Sequence, residues 1–118
     1  MAHVYRPAGW PEAVATADTE DWEASAVGWI VTELVPDLRD TPVRRYPLAL
    51  AVIARNVTTG SLGGARDGYR RARSELGEDI PPHVIDIVLA AYQSEGRWLA
   101  AATKSLEWVE RALRGEIL

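Results

Sequence analysis

Residues 82–114 contain nothing that stops a helix except Gly96, which a helix tolerates. That is about 33 residues, or roughly 50 Å at the α-helical rise. On a helical wheel Val88, Leu99, Leu106 and Leu113 fall on one side, and Ile87, Trp98, Trp108 and Ala112 on another. Arg97, Lys104 and Arg111 fill the polar arc. The apolar arc spans about 200°, roughly twice what one contact face needs. A helix of this length and width has to touch two partners, and this demand shapes the rest of the chain.

The chain offers one long partner. Gly77-Glu78-Asp79-Ile80-Pro81-Pro82 reads as a turn, with Gly77 suited to a left-handed C′ position and the prolines restarting a helix. Before it, Asp40-Thr41-Pro42 is a start signal, so a helix is expected over residues 42–76. Its first half is apolar on every side around Leu48, Leu50, Val52 and Ile53, the mark of a buried helix. Its apolar stripe shifts abruptly at residues 60–64, where Gly60, Gly63 and Gly64 cluster. Each glycine costs about 1 kcal/mol against alanine inside a helix, so a kink, or a break into two helices, is expected there. With the turn near Asp79, facing residues in the hairpin should have numbers adding to about 158. Trp98 would then lie opposite Gly60 and close to Gly63, and the glycines would make room for its indole.

A shorter helix is expected over residues 19–35. Asp18 or Thr19 can cap it, and Trp22, Ala26, Ile30 and Leu34 recur every four residues until Pro36 ends it. At about 25 Å it cannot cover the far side of a 50 Å hairpin. The first 17 residues, with Pro7, Gly9 and Pro11, read as an irregular arm that docks in part through Tyr5 and Trp10. The expected architecture is therefore all-α: one helical domain over residues 18–118, a bundle of three main helices built on a long antiparallel hairpin. The uncovered face predicts a homodimer, with Ile87, Trp98 and Trp108 at its interface.

Charge is uneven along the chain. Residues 1–40 carry eight acids and two bases, residues 41–73 seven arginines and one acid, residues 74–118 eight acids and four bases. A basic centre between acidic flanks neutralises internally or meets an acidic partner. Arg66, Arg70 and Arg73 lie at i, i+4, i+7 and form one edge, the candidate partner-binding site. Asp67–Arg71 and Arg71–Glu75 are spaced as ion pairs on the same helix, and Asp86 and Glu95 are supplied from the facing one. With twelve arginines to one lysine in an alanine-rich chain, a single arginine carries little weight.

Several chemistries find no support in the residues. There is no cysteine, hence no disulfide, thiol nucleophile or cysteine–zinc site. The GSLGGARDGYRR stretch lacks the lysine and hydroxyl of a P-loop, and a dinucleotide fingerprint needs a preceding strand. His3 and His83 are far apart, no His-x-x-x-His or Glu-x-x-His pair exists, and Glu107 and Glu110 lie among polar positions. No catalytic, cofactor or metal site is expected, and no enzyme. No apolar run is long enough to span a membrane and the first residues lack an apolar leader core, so a cytoplasmic location is expected and the Asn56-Val57-Thr58 sequon is read as chance. The reading is a non-enzymatic protein-interaction or regulatory module working as a homodimer. The alternatives are a nucleic-acid-associated regulator using the same arginines, and a bundle holding a small apolar ligand among its five tryptophans.

Overall fold

The computed structural model describes residues 6–116 and 118, and every regular element among them is helical. Helix α1 (Trp22–Trp29) runs on into one π-helical turn, Ile30–Leu34. Two 3-10 turns, Pro36–Leu38 and Pro42–Arg45, lead to α2 (Pro47–Leu76) and α3 (Pro82–Leu113).

Proline sets most of these boundaries. The residue before a proline is pushed out of the α region. Val35, before Pro36, sits at φ −134°, ψ 66° and ends the first helix. Tyr46, before Pro47, sits at φ −124°, ψ 83°, so the helix expected from residue 42 begins at Pro47 and the first proline only opens a 3-10 turn. The start of α1 also differs from expectation. Neither Asp18 nor Thr19 caps it; the hydroxyls of Thr16 and Thr19 bond each other at 3.0 Å. The chain turns in at Asp21, in the left-handed region at φ 63°, which aspartate tolerates better than most residues. Gly77 is not left-handed: at φ −60° it carries the helical pattern on, its N–H donating to Arg73 O at 2.9 Å.

Helix α2 is one unbroken helix through residues 60–64. Its apolar stripe shifts there because its neighbours change. Leu50, Ala51 and Ala54 pack with Val27, Ile30 and Val31 of the first helix and Leu106 of α3. Twenty residues on, Ala72 packs with Ile85 and Leu89 of α3, and no α1 residue belongs to that cluster. The third layer thus stops halfway along the hairpin. The molecule measures 59 × 34 × 18 Å with a radius of gyration of 17.5 Å, against about 13.5 Å for a compact chain of this length.

The hairpin register lies slightly beyond expectation. Thr103 Oγ1 donates to Thr58 Oγ1 at 3.2 Å, and the Tyr92 ring lies over Gly68. Side chains on an α-helix cover the surface about one position toward their own N-terminus. In an antiparallel pair this raises the numbers of touching residues by about two in total, from 158 to the 160 and 161 observed. Nearer the open end, Arg55 Nε donates to Glu110 Oε1 at 2.5 Å, and Arg114 Nε reaches the other oxygen at 3.2 Å. Glu110 is thereby tied to both helices.

The glycines do not behave as the register argument expects. Beside Gly60, Gly63 and Gly64 the space is open: a Cβ built on any of them meets nothing within 4 Å. Trp98 therefore has no glycine nest. The close approach is at Gly68, where a Cβ would stand 2.5 Å from Cζ of Tyr92.

The arm is integral to the core. Trp10 is only 6% exposed and Val14 is fully buried, packed with Trp22, Ala26, Val109 and Ala112. The Trp10 indole N–H donates to Val14 O at 3.0 Å, and its ring lies 5.9 Å from that of Trp22 at 45°. Tyr5, the other aromatic of the arm, lies outside the described residues, as does His3.

Candidate interaction surface

The proposed interface residues separate in space. Ile87 is 65% exposed and Trp98 46%, both on the side of α3 that α2 does not cover. Trp108 is half-buried and engaged within the chain. Its indole N–H donates to Ala8 O at 3.1 Å, and the Arg111 guanidinium stacks 4.7 Å from its ring centre. Ser105, one turn back, donates to Gly9 O at 2.6 Å. The arm thus lies along the C-terminal part of the α3 face, and the N-terminal part is left bare. Sequence reasoning placed all three residues on one face but had no means of seeing how far the arm reaches.

Arg66, Arg70 and Arg73 are all exposed on α2. Arg70 is paired with Asp67, three residues before it, rather than Asp67 with Arg71. Arg71 keeps its expected partner, Glu75, at 3.8 Å. Among the described residues Arg66 and Arg73 form no ion pair, and neither Asp86 nor Glu95 crosses to them. Arg66 and Arg70 flank a shallow groove of about 360 Å³ between α2 and α3, floored by Ala65, Tyr69, Tyr92 and Gly96. Arg73 stands at a second depression of about 280 Å³, shared with Ile80, Ile85 and Asp86 at the hairpin end. The spacing sets the arginine edge beside the stripe that carries Tyr69, but it does not anticipate Tyr92 in the same groove. Tyr92 faces Tyr69 in the observed register, three positions beyond the sum of 158 expected from the turn. A further apolar groove of about 700 Å³ runs beside Tyr46, Leu48, Val52 and Ile53 at the start of α2.

The remaining functional alternatives meet specific geometry. Gly60, Gly63 and Gly64 lie inside α2, where backbone N–H groups donate to carbonyls four residues back. A phosphate cradle needs such groups free at a helix start. Trp10 and Trp22 are packed against each other, Trp29 and Trp108 pack against the same cluster beside Val14, Val109 and Ala112, and Trp98 stands apart, exposed on α3. Among the described residues no three His, Asp or Glu side chains are placed to hold a metal ion, and no helix is long and apolar enough to cross a membrane. No family model matches the chain, and neither a curated protein nor a solved structure matches it.

Proposed function

We propose that this chain is a non-enzymatic interaction module that dimerises through the outer face of α3 and takes an acidic protein partner along Arg66, Arg70 and Arg73. The observation that carries this reading is the bare α3 face. Trp98 and Ile87 stand in water beside a hairpin whose third layer ends halfway. Fully burying one such side chain is worth about 1.5–3 kcal/mol, and two-fold symmetry doubles every contact. The expected result is a dimer in sedimentation velocity at micromolar concentration; a monomer at that concentration overturns the reading.

The arginine edge supports the second half. Among the described residues Arg66 and Arg73 have no carboxylate partner, and an apolar groove lies between α2 and α3 beside Arg66 and Arg70. Poly-glutamate should bind the protein, and Arg66→Glu with Arg73→Glu should abolish that binding while the dimer persists. Tyr69 and Tyr92 beside Arg66 also favour a second reading, since aromatic rings next to arginine stack on nucleobases. Binding to a single-stranded oligonucleotide with a steep salt dependence, and none to poly-glutamate, would decide for nucleic acid.

A further inference from the structure

We infer that two copies of this chain pair antiparallel along α3, with the two-fold axis passing at Ser94. The inference rests on the dimer reading and adds its register and orientation. It begins with a seam. Ile87, Ala91, Ser94, Trp98, Ala101, Ser105 and Trp108 recur at alternating spacings of four and three, the spacing that keeps one face toward a partner helix. The last two are already covered by the arm through Gly9 O and Ala8 O. The first five are exposed, so the free seam continues a contact that the chain itself makes.

Size alternates symmetrically about Ser94. Seven residues to either side stand Ile87 and Ala101; Ala91 and Trp98 stand three before it and four after. An antiparallel partner therefore sets Ile87 against Ala101 and Trp98 against Ala91, each large side chain on a small one, with Ser94 facing its own copy. A parallel partner would set each residue against itself, indole on indole.

Charge agrees with the same axis. On one flank of the seam Asp86 lies eight residues before Ser94 and Lys104 ten after it, so each faces the other across the axis, twice by symmetry. Among the described residues neither forms an ion pair within the chain. On the same flank Arg97 faces Gln93. On the opposite flank Glu95 approaches its own copy, at the rim and exposed to water.

Ser94→Cys tests the register directly, because it creates the only thiol in a chain without cysteine. Helices packed 8–10 Å apart, with Cα atoms on cylinders of about 2.3 Å radius, bring facing Cα atoms to about 4–5 Å. A disulfide spans that gap. With oxidised glutathione as oxidant, Ser94→Cys should run as a covalent dimer on a non-reducing gel, while Ser74→Cys, exposed on α2, stays single. Asp86→Lys should weaken association several-fold and Lys104→Asp in the same chain restore it. A wild-type dimer in which Ser94→Cys fails to cross-link overturns the register and leaves the dimer standing. A wild-type monomer overturns both.

Discussion

Trp10→Ala is expected to lower the unfolding free energy by about 3–4 kcal/mol, in the lower part of the roughly 3–5 kcal/mol seen for truncating a buried tryptophan. The residue lies in a stretch without regular structure, where substitutions are ordinarily tolerated. Its surroundings argue otherwise. The ring is 6% exposed, stacks obliquely on Trp22 at 5.9 Å and abuts Val14, Val109 and Ala112. Its truncation leaves a cavity at the junction of arm, α1 and α3, and removes the N–H that satisfies Val14 O. At about 2.1 cal/mol/K of unfolding entropy per residue, the loss corresponds to a melting temperature lower by roughly 12–16 °C. Calorimetry at a fixed protein concentration reads it, since association also shifts the transition. A loss below about 0.5 kcal/mol, the ordinary scale of a surface change, would mean that the arm is not part of the core.

The same arm explains where sequence reading succeeded and where it stopped. Three helices and their antiparallel hairpin were legible, because periodicity and proline act locally: Trp22, Ala26 and Ile30 mark a stripe whatever lies around them. The start of α2 was misplaced by five residues because two prolines compete, and the one preceded by Tyr46 sets the α-helical start. The cap of α1 was misassigned for a different reason. The Thr19 hydroxyl is taken by its neighbour Thr16 at 3.0 Å, while Ser25 inside the helix accepts from Ala15 N–H of the arm at 2.9 Å and donates to Trp22 O, so contacts with the preceding arm replace the cap that propensity places at Asp18 or Thr19. Trp108 was assigned to a subunit interface because its angle on the wheel shows an apolar face but not which surface meets it. The arm is short and aperiodic, and its destination cannot be read from its own residues.

The candidate site was legible in the same partial way. Arg66, Arg70 and Arg73 form an exposed edge, as their spacing requires. Which acid takes which arginine was not legible: Asp67 can reach Arg70 or Arg71, and an exposed pair at either spacing is worth only about 0.2–0.5 kcal/mol, so the two differ by less than that. So small a difference leaves such details to rotamer choice, not to pattern.

The glycines between residues 60 and 68 should split by sign, and this contrast tests the hairpin packing most sharply. Gly60→Ala, Gly63→Ala and Gly64→Ala together are expected to raise stability by about 2–3 kcal/mol, since each removes a helix-interior glycine worth about 1 kcal/mol. Nothing stands within 4 Å of the added methyl groups. The gain corresponds to a melting temperature higher by roughly 8–12 °C. Gly68→Ala has the same propensity gain but puts its methyl 2.5 Å from Cζ of Tyr92, so the ring must leave the cleft it fills beside Ala65. It should finish about 1–2 kcal/mol below Gly64→Ala, the scale of a small overpacking penalty. The difference follows from helical geometry. Gly68 is eighteen residues, or five full turns, beyond buried Leu50 and so on the same buried line, while Gly60, Gly63 and Gly64 fall off it. If the triple alanine chain were less stable than the wild type, another surface would have to lie against that stretch of α2, and the open face described above would be occupied. If Gly68→Ala gained as much as Gly64→Ala, the Tyr92 ring would not be seated between the helices, and the groove flanked by Arg66 and Arg70 would lose its floor.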